Sequence, residues 1–122
     1  MNLNLFGSTG VIGKKTLELI DTSFPNIKIN LLCAKSNYKL LSKQVEKYKP
    51  KFIYLYDTHK LKRTKSKLGK TQILNYNELL SYLSSSHSDL SILAISGYKS
   101  LYYLENIIKN TDNLAIATKE AI

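Results

Sequence analysis

The segment Leu3-Asn4-Leu5-Phe6 alternates apolar and polar residues and runs straight into Gly7-Ser8-Thr9-Gly10-Val11-Ile12-Gly13. Three glycines at intervals of three, between an expected strand and an expected helix, narrow the possible folds sharply. Glycine lets a chain turn with positive φ. It also lets backbone approach a pyrophosphate closely and lets a helix pack tightly on its strand. The helix that follows aims unpaired N–H groups and the positive end of its dipole at the same spot. The turn is expected to cradle phosphates, and dinucleotide binding is the first reading. Its spacing departs from the G-x-G-x-x-G fingerprint, so a glycine-rich turn without a ligand stays open on these residues alone.

Strand and helix patterns then alternate along the chain. Strands are expected at Asn2–Phe6, Ile27–Cys33, Phe52–Tyr56, Gln72–Leu74, Leu90–Ile95 and Leu114–Ala117. The first helix is expected over Ile12 to Asp21, with Ile12, Thr16, Leu17, Leu19 and Ile20 as its apolar stripe. A second spans Tyr38–Tyr48 and stops at Lys49-Pro50, because a residue before proline disfavours the α conformation. Asp57 or Thr58 caps a short helix carrying a basic run, and Asn75-Tyr76-Asn77-Glu78 reads as a capping box opening a helix over Tyr76–Leu83. Ser84 to Ser88 reads as a polar loop, and Leu101–Lys109 as a further helix. Such alternation predicts an α/β fold: a doubly wound, mostly parallel sheet with helices on both faces. Residues 1–122 form one domain, and 122 residues suffice to bury a core.

Composition limits the classes further. Apolar residues make up 43% and charged residues 22%, as in a soluble globular chain. No apolar run approaches the roughly 18 residues of a membrane span, and Met1-Asn2-Leu3-Asn4 lacks the basic start of a secretory signal. A cytoplasmic location and no membrane partner are expected. Cys33 is the single cysteine, which excludes an internal disulfide, and its apolar strand suits a small buried residue rather than a nucleophile. The net charge of +9 raises nucleic acid as a partner. Much of it lies between His59 and Lys70, a run without interleaved aromatic or amide groups for base contact. A solvated helix face accounts for that run, and no nucleic-acid partner is expected.

The end of the second strand bears on cofactor choice. In dinucleotide folds it lies about 20 residues past the glycine turn, where an acid accepts the ribose hydroxyls of NAD. Here it reads Cys33-Ala34-Lys35-Ser36-Asn37, with no acid. A lysine, a hydroxyl and an amide suit a 2′-phosphate instead, so NADPH is favoured over NADH. Ser36 or Asn37 can also cap the second helix, and both roles can hold together.

Taken together, these segments resemble one family. Gly7-Ser8-Thr9-Gly10-Val11-Ile12-Gly13 resembles the GSTGSIG turn of 1-deoxy-D-xylulose 5-phosphate reductoisomerases. Ala34-Lys35-Ser36-Asn37 is similar to that family's A-G-S/K-N segment, and Tyr48-Lys49-Pro50 to its aromatic-x-Pro. Ala94-Ile95-Ser96-Gly97 resembles A-I-x-G, and Ala117-Thr118-Lys119-Glu120-Ala121 resembles A-N-K-E-S. Order and spacing agree over essentially the whole chain.

The resemblance implies a Rossmann-like NADPH-binding domain of an enzyme of non-mevalonate isoprenoid biosynthesis. That family rearranges 1-deoxy-D-xylulose 5-phosphate and reduces the product to 2-C-methyl-D-erythritol 4-phosphate, with NADPH and a divalent metal (Mg or Mn), as a homodimer. By position, Gly7, Thr9, Gly10, Val11, Ile12 and Gly13 would form the pyrophosphate turn. Lys35, Ser36 and Asn37 would meet the adenosine ribose phosphate. Ala94, Ser96 and Gly97 would lie along the cofactor, with Thr118 and Glu120 near it and Lys119 facing substrate. Val11, Lys35 and Thr118 depart from the family's serine, glycine and asparagine, and Tyr98-Lys99-Ser100 is bulkier than its small residues.

The acids are scattered, with only Glu120 at a strand end, so no metal ligands are assigned in this chain. His59 and His87 sit in polar surroundings and suit solvated side chains. The catalytic and C-terminal domains of the family are expected beyond Ile122, and this portion alone is expected not to turn over substrate. Two other classes stay open on the sequence. A Rossmann domain of a semialdehyde or homoserine dehydrogenase would favour NADH. A basic nucleic-acid-binding module would lose affinity steeply with salt.

Overall fold

A computed structural model describes residues 1–57, 69–85, 87–94 and 111–116. The expected basic helix after Asp57, the helix over Leu101–Lys109, and Ser96, Gly97, Thr118, Lys119 and Glu120 lie outside the described residues.

Six strands form a single sheet: β1 (Asn2–Phe6), β2 (Lys28–Ala34), β3 (Phe52–Leu55), β4 (Gln72–Ile73), β5 (Ser88–Leu93) and β6 (Thr111–Ile116). Their order is β4-β3-β2-β1-β5-β6, and every neighbouring pair is parallel. The expected doubly wound α/β architecture is therefore present. The chain moves outward from β1 through β2, β3 and β4, then returns to the other side of β1 with β5. Beside β1 the winding changes direction, which in such sheets opens a crevice at the carboxyl ends of the strands.

Three helices are described: α1 (Val11–Ser23), α2 (Tyr38–Tyr48) and α3 (Tyr76–Ser85). α1 and α2 cover one face through Leu3, Leu5, Leu17, Ile20, Leu32, Leu41, Val45, Ile53 and Leu55. α3 covers the other through Phe6, Leu31, Cys33, Tyr54, Leu79, Leu83 and Leu93. Leu5, Leu32 and Ile53 are completely buried, and truncating any one of them to Ala costs about 2–5 kcal/mol. Adjacent Leu31 and Leu32 serve opposite faces by ordinary alternation, but Ile29 shares the face of Leu32 because the register slips opposite β1: Leu3 pairs with Ile29, but Asn4 pairs with Leu31. The extra residue, Asn30, resets the side-chain alternation.

Local chemistry sets the helix ends. The Asn37 side chain accepts from the Leu40 N–H at 3.2 Å and starts α2. Lys49 closes that helix in the left-handed region, φ 49°, ahead of Pro50. The capping box forms in both directions: Asn75 N–H donates to Glu78 Oε1 at 2.9 Å, and Glu78 N–H to Asn75 Oδ1 at 2.8 Å.

Several expectations are corrected. Ser84–Ser88 is not a loop throughout, since α3 continues to Ser85 and β5 begins at Ser88. Ser88 is buried and accepts the Asn4 amide at 2.7 Å, so a polar residue can open a buried strand. β6 likewise starts at Thr111 because its ladder with β5 extends to Ser88. In α1 the buried stripe is Gly13, Leu17 and Ile20, not the broader apolar set. Ile12 and Leu19 are exposed, and Leu19 flanks an open apolar groove with Phe24, Leu90 and Ile92.

Candidate functional site: the glycine turn at the carboxyl end of β1

The turn leaves β1 beside β2 on one side and β5 on the other. Gly7 takes φ 93°, a left-handed value that a side chain resists. The Gly7 and Ser8 N–H groups both donate to the Cys33 carbonyl, at 2.8 and 3.0 Å. This fixes the start of the turn to the end of β2. Gly10 N–H donates to the Gly7 carbonyl at 3.2 Å, and Lys14 N–H to the Gly10 carbonyl at 2.9 Å, opening α1.

Gly13 explains why the helix must carry a third glycine. A Cβ there would stand 2.0 Å from the Gly7 carbonyl oxygen and 2.8 Å from Ser8 Cα. The first turn of α1 thus lies directly on the glycine turn. A Cβ on Gly10 would meet Gly7 O at an ordinary 3.6 Å. Gly10 is exposed and extended, φ −78° and ψ 176°, so its role is to keep a surface clear.

The N-terminus of α1 is bare in a way that suits an anion. Gly10 offers no side-chain cap, and no acid occupies the first turn. Among the described residues, the N–H groups of the first turn therefore have no carboxylate or hydroxyl competing for them. Val11 is 70% exposed and Ile12 45% exposed at the same end, so apolar surface lies beside the donors. Donors, positive dipole and apolar rim converge just past the carboxyl end of β1.

Lys35, Ser36 and Asn37 follow β2 and are all exposed. Asn37 caps α2 through Oδ1, a bond that leaves the donors of its amide nitrogen unused. The Lys35 carbonyl accepts Asp57 N–H at 2.7 Å, and Ala34 O accepts Tyr56 N–H at 2.9 Å, so the segment is backed by the end of β3. Ala94 N–H donates to Phe6 O at 2.7 Å, which holds the β5 end against the start of the turn. The described site residues are thus gathered at the carboxyl ends of neighbouring inner strands: Gly7 to Gly13 after β1 in the middle, Lys35–Asn37 after β2 on one side, Ala94 after β5 on the other.

Cys33 is buried, and burial pushes its thiol well above the ordinary range. A thiol held in that state is no nucleophile at neutral pH. His87 is exposed and paired with Asp112 at 2.8 Å, at the opposite end of β5 from Ala94. Among the described residues no group of three or more His, Cys, Asp or Glu side chains could hold a metal ion, and none of their helices is long and apolar enough to cross a membrane. One feature that sequence reasoning missed is Gln44. It is buried on α2 and donates its amide to the Ser8 carbonyl at 2.8 Å. Only its place beside Leu41 and Val45 on the apolar stripe of α2 hinted at burial.

Sheet order and turn define a Rossmann-like α/β domain with a phosphate-type glycine turn at its switch point. The chain belongs to the 1-deoxy-D-xylulose 5-phosphate reductoisomerase family, whose family model matches residues 3–122. The reductoisomerase of Pelagibacter ubique is 37% identical over 97% of this chain and 31% of its own length. That of Caldanaerobacter subterraneus is 30% identical over 98% of this chain and 32% of its own. The Zymomonas mobilis enzyme solved with NADPH shares the fold at TM-score 0.86 and 24% identity, over 98% of this chain and 32% of that one. A DOX-P reductoisomerase crystallised with magnesium matches at TM-score 0.79 and 25% identity, over 98% of this chain and 31% of that one. The chain thus spans about a third of the length of the relatives it matches. A semialdehyde or homoserine dehydrogenase is not the family that matches.

Proposed function

We propose that this chain is the NADPH-binding domain of an enzyme converting 1-deoxy-D-xylulose 5-phosphate to 2-C-methyl-D-erythritol 4-phosphate in non-mevalonate isoprenoid biosynthesis. The observation that carries the proposal is the turn: Gly13 lies where a Cβ would overlap the Gly7 carbonyl, under an uncapped helix start at the switch point. Bound NADPH would supply a hydride. In this reading the backbone of Thr9, Gly10, Val11 and Ile12 holds the pyrophosphate, with Gly7 and Gly13 shaping the turn. Backbone donors make the Val11 departure tolerable, because valine keeps the main-chain N–H and only a side-chain O–H is lost.

Lys35, Ser36 and the free amide of Asn37 take the 2′-phosphate, and Lys35 adds a charge where the family carries glycine. Ala94 borders the path toward the nicotinamide. The resemblance gives Ser96, Gly97, Thr118 and Glu120 to the same path and Lys119 to the substrate. Metal ligands and the rest of the catalytic apparatus belong to the remaining two-thirds of the family's polypeptide, so residues 1–122 alone do not turn over substrate. A homodimeric, cytoplasmic enzyme with neither nucleic-acid nor membrane partners completes the reading.

Calorimetric titration of NADPH and NADH into this chain at moderate salt tests it. NADPH should bind and NADH more weakly. A preference for NADH, or no response to millimolar NADPH, sinks the proposal. An affinity for polynucleotide that outlasts the loss of Gly10 would favour a nucleic-acid module instead.

A further inference from the structure

We infer that Gln44 is a positioning residue of the cofactor site: from α2 it holds the pyrophosphate turn at a fixed distance from the segment that takes the 2′-phosphate. The inference rests on the NADPH reading but stands on its own contacts. Gln44 is only 5% exposed, deep for an amide, and its Nε2 donates to the Ser8 carbonyl at 2.8 Å across 36 residues of sequence. Its Oε1 is buried with no hydrogen-bond partner among the described residues. An amide buried with half its capacity unused is costly, and an apolar side chain of the same length would avoid that cost. What the apolar residue cannot do is hold Ser8 O. The amide can face only one way, since turned over its oxygen would meet the Ser8 carbonyl oxygen.

Ser8 is the point where holding matters. It is fully buried, and its own N–H is bound to Cys33 O at 3.0 Å. The peptide units on either side of Ser8 are therefore tied to two different elements, β2 and α2. α2 is capped by Asn37, the last residue of the Lys35-Ser36-Asn37 segment, and Gln44 lies seven residues on, two helical turns down the same face. A rigid α2 thus carries both the cap beside the 2′-phosphate and the clamp on the pyrophosphate turn. Gln44 fixes the span between the two phosphate positions. Without it the turn loses its tie to α2 and samples other distances from that helix.

Gln44→Met keeps the length and apolar fit but has no donor; Gln44→Leu keeps much of the volume and likewise has no donor. The test compares both variants with the unaltered chain by titration with NADPH and with adenosine 2′-monophosphate, and by site-resolved amide hydrogen exchange without nucleotide. NADPH affinity should fall about tenfold in each variant, as expected when a buried carbonyl loses its donor. Adenosine 2′-monophosphate reaches only the Lys35–Asn37 side, so its affinity should stay within about twofold. Exchange should quicken at Ser8 and Gly10, whose N–H groups are bonded to Cys33 O and Gly7 O, while the amides of Leu5 and Ile53 in the sheet keep their protection. NADPH affinity unchanged in both variants, equal losses for the two nucleotides, exchange that rises throughout the sheet, or variants that do not fold would each overturn the inference. If the unaltered chain binds neither nucleotide, the NADPH reading fails by itself, and the exchange pattern still decides the role of Gln44 in holding the turn.

Discussion

The Cα of Gly13 faces the Gly7 carbonyl so closely that a methyl group on it would stand 2.0 Å from that oxygen. No rotamer can relieve this, because the atom met is backbone. Gly13→Ala should force α1 away from the turn and cost at least about 1–3 kcal/mol of stability, the usual penalty of overpacking. Urea unfolding read by far-UV circular dichroism measures it. A variant as stable as the parent would show that the helix start has freedom the contact denies.

Gly10 should behave in the opposite way. Its Cβ position is unstrained and open, with the nearest atom at 3.6 Å. A carboxylate there sits at the N-cap of a helix that has no side-chain cap. Gly10→Asp should leave stability unchanged or raise it by up to about 1 kcal/mol, by capping and dipole interaction. The same carboxylate occupies the donors and repels phosphate, so NADPH binding should disappear. Thermal melting and calorimetry on one preparation read both effects, and lost binding together with lost stability would refute this account of the turn.

Lys35 offers a test of cofactor choice. It is exposed at the end of β2, with no acid in the Cys33–Asn37 segment to take a ribose hydroxyl. Lys35→Ala should weaken NADPH about tenfold, the scale of one lost charge-assisted contact, and leave NADH nearly unaffected. The ratio of the two dissociation constants is the measurement, because it cancels any general loosening of the site. Equal weakening of both cofactors would remove Lys35 from 2′-phosphate recognition.

What was legible in the sequence was local. α2 could be bounded at Tyr38 and Tyr48 because its cap, Asn37, and its stop, Lys49-Pro50, adjoin it. The capping box of α3 lies within four consecutive residues. The glycine turn could be read because its chemistry is carried by backbone and by the lack of side chains. What stayed hidden depends on distant partners. Ser88 opens a buried strand only because Asn4, 84 residues earlier, bonds its hydroxyl. Gln44 is buried because its amide reaches Ser8 across 36 residues, and no local periodicity reports such a partner. The Asn30 bulge arises from the register of β1 against β2, so alternation within β2 misleads.

The polar cluster on the α3 side gives a pH prediction. Tyr82 OH donates to Asn4 Oδ1 at 2.8 Å, and Asn4 passes its amide on to Ser88 Oγ at 2.7 Å. Burial raises the Tyr82 phenol above its ordinary value, outweighing the hydrogen bonds that favour its charged form. The fold therefore favours the neutral phenol. Below the unfolded phenol's pKa of about 10, both states keep the proton and the stabilisation is complete. As pH rises past that value the unfolded chain ionises first, and the stabilisation is lost until the folded phenol follows. Tyr82→Phe keeps the tilted ring contact with Phe52 but leaves buried Asn4 Oδ1 without its donor, at about 1–2 kcal/mol near pH 7. The difference in unfolding free energy between parent and variant should be constant from pH 7 to 9 and shrink above about 10. Cys33, whose thiol is also raised by burial, is present in both proteins and cancels in that difference. A gap that widens with pH would reverse the sign of the Tyr82 contribution and show that its phenol ionises more readily in the fold than outside it.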